Sequence, residues 1–192
     1  MTAKEYQNSL FPKVNTLFSG HEVKNEWAAF TRLIHQYSPR VDIAVGPFNT
    51  NGPNLTELYN ELVQAECVKK FLEYCFNFHI QNLDITLYDE IIQANFETLI
   101  FSNQNARCLI AIEIENRNSK KHIMGSMVNA ASLGRVGIGV AFNEGTLKSF
   151  CRIANYLAFL KRVEKNSYDT TNFLIVTTAQ LDEVYERILR EY

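Results

Sequence analysis

The sequence predicts an α/β fold, a mixed central sheet flanked by helices, on three observations. Beyond residue 108, strand-length apolar runs alternate with segments of helical periodicity. The runs Val136–Phe142 and Phe173–Val176 are nearly continuous in apolar residues, as strands covered on both faces are. No linker rich in Pro or Gly, low-complexity stretch or internal repeat divides the 192 residues, so 1–192 reads as a single domain.

In chain order, residues 21–36 read as an amphipathic helix, with Trp27, Phe30, Leu33 and Ile34 on one stripe and Ser38-Pro39 as its stop. Val41–Val45 reads as a short strand that Gly46-Pro47 ends. Asn51-Gly52-Pro53 is a turn with proline placed to open a helix. From there to residue 101 the pattern is helical. Its three stripes are Leu55, Leu58, Leu62, Val63; then Val68, Phe71, Leu72, Cys75, Phe76; then Tyr88, Ile91, Ile92, Phe96, Leu99, Ile100. This block, 53–101, is expected as an all-helical insertion. Cys108–Glu115 is then a strand, Lys120–Leu133 a helix, Val136–Phe142 a strand, Thr146–Val163 a helix and Phe173–Val176 a strand. A last helix follows Thr177-x-x-Gln180, which has the form of a capping box.

Composition narrows the class. Apolar residues make up 46% and charged residues 21%, ordinary for a globular domain. No apolar run approaches the length of a membrane span, and the first residues lack the layout of a signal peptide. These features point to a soluble protein that stays in the cytoplasm. The four cysteines, Cys67, Cys75, Cys108 and Cys151, form no CxxC pair and sit in apolar surroundings, so they read as reduced core residues rather than zinc ligands. A net charge of −2, from 19 basic and 21 acidic residues, counts mildly against nucleic acid. A local patch matters more than the sum.

Chemistry concentrates in Cys108–Glu115. Alternation puts Cys108, Ile110, Ile112 and Ile114 on one apolar face, and Leu109, Ala111, Glu113 and Glu115 on the other. Two like charges two residues apart on a strand lie roughly 6–7 Å apart. Their repulsion calls for solvent, a basic group or a metal ion. Asp42, between Val41 and Ile43, points away from their face; beside the glutamates it completes three oxygen donors of the kind a hard cation such as Mg²⁺ takes. From Asn116 to Asn143 there is no acid, while Arg117, Lys120, Lys121 and Arg135 are basic. In the helix from Lys120, the core stripe is Ile123, Met127, Ala130, Ala131, and His122, Ser126 and Asn129 share a polar face. Carboxylates facing a basic helix start suit a metal with a phosphodiester beside it.

Other chemistries lack their residues. Gly137 and Gly139 share a strand face and predict close packing of a helix; no GxGxxG or Walker pattern is present. No GxSxG elbow occurs, and His21, His35, His79 and His122 have no nucleophile beside them; His79, in an aromatic run, reads as structural or surface.

Pro39-Arg-Val-Asp42 and Glu113-Ile-Glu115, in this order of elements, resemble the PD-(D/E)xK nuclease superfamily, whose fold is restriction-endonuclease-like. In that family a helix precedes an aspartate-bearing strand, and a strand bearing (D/E)-x-K, a helix and further strands follow. The likeness covers about residues 21–46 and 108–176, leaving 53–101 without a counterpart. Glu115 stands where the motif has lysine, as in the Glu-x-Glu variant of some restriction endonucleases; Lys120 or Lys121 is the alternative source of the amine. The resemblance implies Asp42 and Glu113 as ligands of Mg²⁺, or of Mn²⁺ in its place. It implies Glu115 on a second metal or on the attacking water, Lys121 on the phosphate, and Glu26, read as a residue of the first helix, as a further ligand. The expected function is a metal-dependent endonuclease acting on DNA as a homodimer, a restriction or defence enzyme. Rival expectations are a non-catalytic partner- or nucleic-acid-binding domain, favoured by the missing lysine and the acidic balance, and a hydrolase of small phosphorylated substrates.

Overall fold

The computed structural model describes residues 1–30, 38–84, 95–165 and 168–191. Leu33, Ile34 and His35, and Tyr88, Ile91 and Ile92 of the third helical stripe, lie outside the described residues.

Five strands form one mixed sheet in the order β1 (Val23–Ala28), β2 (Arg40–Val45), β3 (Cys108–Glu115), β4 (Gly134–Ala141), β5 (Phe173–Thr177). β2 runs antiparallel to both β1 and β3; β3, β4 and β5 run parallel. The α/β class expected from the sequence is thus the class of the fold. The parallel strands are joined by α5 (Lys120–Leu133) and α6 (Glu144–Arg162), which cover one face. The other face is covered by α1 (Ala3–Leu17), α2 (Thr56–Gln64), α3 (Glu66–Asp84), α4 (Phe96–Phe101) and α7 (Thr178–Glu191). Elements from Cys108 onward fall within two residues of their expected bounds, because their apolar periods are long and unbroken. Thr177 and Gln180 make the reciprocal capping bonds: the Thr177 N–H donates to Gln180 Oε1 at 2.8 Å and the Gln180 N–H to Thr177 Oγ1 at 3.2 Å.

One reading is corrected here. The described part of the expected helix 21–36 is a strand: β1 pairs with β2 from Val23↔Val45 to Ala28↔Arg40. Along β1 only Trp27 is buried, so the period-2 signal of a strand never develops, and pairing with β2 overrides the local helical spacing. The N-terminal helix is instead α1, opened by a capping box between Thr2 and Glu5 and burying Tyr6, Leu10 and Val14. The described part of the block 53–101 holds the helices α2, α3 and α4. Tyr59, Val63, Phe71, Leu72, Leu99 and Ile100 share one core with Ile43, Ile110 and Val136 of the sheet.

The free edge of β5 is sealed by α3. His79 Nδ1 accepts from the Ile175 N–H at 3.0 Å, and Asn82 Nδ2 donates to the Ile175 carbonyl at 2.9 Å. Both main-chain groups of that edge residue are thereby satisfied inside the protein. His79 is a buried structural group, and burial brings its pKa down to about 4. A Cβ on Gly137 would lie 2.9 Å from the main chain of Ala130 in α5, and one on Gly139 2.5 Å from the Phe173 ring. Close packing of the preceding helix, as expected, is what Gly137 permits; Gly139 instead makes room for the rings of Phe173 on β5 and Phe150 on α6. The cysteines are all free thiols; Cys75, Cys108 and Cys151 are buried.

Candidate functional site

The site lies where the β2–β3 ladder stops. Its last rungs are Ala44↔Ala111 and Ile43↔Ile112. One step further along the same register, Asp42 faces Glu113. On the other side of β2, Asn25↔Ile43 and Trp27↔Val41 leave Glu26 on the rung of Asp42, a pair the ladder skips. Glu26, Asp42 and Glu113, from three strands, thus occupy one row across the sheet, and Glu115 follows two residues further on β3.

Regular pairing fails in that row for visible reasons. Asp42 Oδ2 accepts from the Ile114 N–H at 2.7 Å, so a side-chain carboxylate takes the bond that a partner main-chain carbonyl would otherwise accept. Glu26 has φ 50°, in the left-handed region that a glutamate rarely adopts. Gln7 of α1, itself buried, holds this distortion: its Nε2 donates to the Asp42 carbonyl at 3.0 Å, to Asn25 Oδ1 at 2.6 Å and to Glu26 Oε1 at 3.1 Å. Lys4, one turn earlier, reaches Glu26 Oε1 at 2.5 Å and Gln7 Oε1 at 3.0 Å. Arg40 lies 4.0 Å from the other Glu26 oxygen.

Glu113 and Glu115 project towards the α5 side, as their alternation with Ala111 requires. Ser126 Oγ donates to Glu115 Oε1 at 2.5 Å. Glu113 is only 8% exposed, and its carboxyl makes no hydrogen bond or ion pair among the described residues. A buried carboxylate without a partner is costly, so such a group takes up a proton or a counter-ion. Burial, followed by the nearby Asp42, Glu115 and Glu26, raises the Glu113 carboxyl well above the usual carboxylate range. Asp42 is pushed up to about 6, by burial first and then by Glu26 and Glu115; the Ile114 N–H and Lys4 act in the opposite direction. Glu26 is held low, chiefly by its bond from Lys4.

The sequence-derived residues distribute as follows. Asp42, Glu113 and Glu115 come together at the end of the β2–β3 pair. Glu26 joins the row from the edge strand β1, not from the first helix, and its charge is already met by Lys4. Lys121 stands exposed in the first turn of α5; like Arg117 and Lys120, it makes no ion pair among the described residues. Arg135, expected in the basic patch, has no exposed surface. It starts β4, at the opposite end of the sheet, where its guanidinium donates to the Asn103 carbonyl and Asn60 Oδ1 and lies 5.4 Å from the Phe101 ring. Lys4 and Gln7 escaped the reading of the sequence. The signal that finds them is Thr2-x-x-Glu5 followed by Tyr6, Leu10 and Val14 at helical spacing.

Among the described residues, no three His, Cys, Asp or Glu side chains close around a point where a metal ion would be held. A hard cation of the Mg²⁺ kind needs no such cage. It takes one or two protein carboxylates and completes its shell with water and phosphate oxygens. The unpartnered Glu113 carboxyl and the second Asp42 oxygen match that donor set. No family model, curated protein or solved structure matches the chain. Among the described residues no helix is long and apolar enough to cross a membrane. Function is therefore argued from the site itself.

Proposed function

We propose that the chain is a Mg²⁺-dependent endonuclease that hydrolyses DNA phosphodiester bonds, built on a restriction-endonuclease-like core of the PD-(D/E)xK kind. One observation carries the reading: one step past the last β2–β3 rung Asp42 faces Glu113, whose 8%-exposed carboxyl makes no hydrogen bond or ion pair among the described residues. The order α1, β1, Asp42 on β2, then Glu113-x-Glu115 on β3, α5 and β4 supports it: apart from β1 and the helices α2, α3 and α4 between β2 and β3, it follows the order of elements the resemblance implies.

In this mechanism Asp42 and Glu113 would hold the cation, Mg²⁺ or Mn²⁺. When bound, the cation supplies a water of lowered pKa and offsets charge on the phosphoryl oxygens. Glu115, aimed by Ser126, orients the attacking water and takes its proton. The water oxygen bonds to phosphorus, the bond from phosphorus to the leaving oxygen breaks, and that oxygen is protonated in turn. The exposed bases Arg117, Lys120 and Lys121 lie just beyond Glu115 and meet the DNA backbone. Two copies acting as a homodimer cut both strands of a duplex.

The experiment is plasmid incubation with Mg²⁺ or Mn²⁺, beside Glu113→Gln. Nicking or linearisation that needs the cation and falls at least about 10³-fold in the variant is expected, the scale of losing a main electrostatic group at a reaction centre. DNA binding without cleavage by the wild type favours instead a non-catalytic nucleic-acid-binding domain, the reading that Glu115 in the motif's lysine position supports. Cleavage confined to small phosphate esters favours a hydrolase of small phosphorylated substrates.

A further inference from the structure

The Glu-x-Glu motif leaves the site without a lysine of its own on β3, yet a lysine of α1 pairs with Glu26, the acid that β1 adds to the row. Lys4 lies 22 residues before Glu26, on α1, and its ammonium lies 2.5 Å from that carboxylate. Gln7, three residues further along the same helix face, accepts from Lys4 Nζ through Oε1. Through Nε2 it donates to the main-chain carbonyl of Asp42. The ammonium is thus tied, through one amide side chain, to the strand residue that faces Glu113. The Lys4 side chain is also 56% exposed. Its tip stands at the rim of the carboxylate row, open to a ligand arriving from solvent. Lys120 and Lys121, the candidates from the sequence, belong to α5 on the other side of the row and make no ion pair among the described residues.

We infer that Lys4 is the ammonium that contacts the scissile phosphate, in the role for which the sequence offered Lys121. This rests on the nuclease reading above. In the resting protein Glu26 and Gln7 keep the extended Lys4 side chain at the rim, which limits the rotamer freedom it loses on meeting the phosphate. A phosphate oxygen arriving beside the Asp42–Glu113 rung competes with Glu26 for the same ammonium, and an anion that gains charge in the transition state competes best. The substrate is therefore a phosphodiester whose backbone crosses the end of the sheet at the carboxylate row, with Lys4 of α1 on one side of it and Lys120 and Lys121 of α5 on the other.

The test compares wild type with Lys4→Met, Lys4→Arg and Lys121→Met. It follows Mn²⁺ binding by calorimetry and cleavage of a short duplex under Mg²⁺, with kcat and KM separated. Lys4→Met is expected to keep its far-UV circular dichroism and bind Mn²⁺ as the wild type does. Its kcat falls about 10²-fold or more with KM changed far less, as when one charge-stabilising donor is removed. Lys4→Arg recovers a measurable part of kcat. Lys121→Met keeps its kcat and shifts only KM. Equal kcat in wild type and Lys4→Met overturns the inference while leaving the nuclease reading intact, as does a kcat loss confined to Lys121→Met. A wild type that neither binds Mn²⁺ nor cleaves DNA overturns the nuclease reading, and the role of Lys4 falls with it.

Discussion

His79 and Glu113, two of the titratable side chains buried against this sheet, are treated in opposite ways. At the β5 edge, His79 is enclosed and fully used: it accepts the Ile175 N–H while neighbouring Asn82 takes the carbonyl. At the end of the β2–β3 pair, Glu113 is nearly as enclosed and accepts nothing among the described residues. The fold uses the bonds of one buried polar group fully and leaves the acceptors of the other to the solvent or ion that reaches them. Three irregularities lie beside Glu113: the left-handed Glu26, the rung the ladder skips and the Asp42 carboxylate bonded in place of a main-chain carbonyl. Strain and missing partners of this kind cluster where ligands bind.

The sharpest break of this contrast is His79→Ala. It removes a buried ring and orphans the Ile175 N–H, so unfolding in urea at pH 7.5 should show a loss of about 3 kcal/mol or more. That loss should shrink in acid. Folding holds the His79 pKa near 4 against an ordinary 6.5, so its contribution is fully present above 6.5 and is lost as pH falls towards 4. A deficit that stays constant between pH 7 and pH 4.5 would contradict the buried neutral ring.

Asp42→Asn probes the opposite sign. Here the folded value, about 6, exceeds the ordinary 3.8, so stability is fully present below 3.8 and is lost as pH rises through 6. Without divalent cation, the wild type should lose on the order of 2–3 kcal/mol across that window through this group, a loss the variant escapes. Added Mg²⁺ should restore stability to the wild type above pH 6, because a cation that binds the ionised pair stabilises the folded state. Midpoints of thermal unfolding at pH 4, 6 and 7.5, with and without Mg²⁺, decide it. Equal pH slopes in wild type and variant would remove Asp42 as a buried acid.

Ser126→Ala should be the mildest. It deletes one exchange-compensated hydrogen bond to the partly exposed Glu115, costing about 1 kcal/mol or less in stability. Its larger effect should appear in kcat, through a Glu115 that is no longer aimed; a full loss of Mn²⁺ binding in this variant would instead make Glu115 a main ligand.

Much of the site was legible from strand alternation. Glu113 and Glu115 share a face because side chains on a strand repeat every two residues, and their shared face followed from the letters alone. Asp42 on a second strand was equally readable. Lys4, Gln7 and the true setting of Glu26 were not. Each depends on β1 being a strand, and β1 buries only Trp27, so its own residues carry no alternation to betray it. The same limit hid the use of His79, whose partner Ile175 lies 96 residues away.

Periodicity and composition by themselves determined the α/β class, the elements from Cys108 onward and the clustering of acids at the end of one strand, because each is a property of neighbours in the chain. Only the tertiary structure decided that residues 23–28 pair with β2, that Glu26, Asp42 and Glu113 meet in one row, and that α1 delivers Lys4 and Gln7 to it. Those outcomes turn on hydrogen bonds between segments tens of residues apart, where the choice of partner is set by the packing of the whole sheet and not by local propensity.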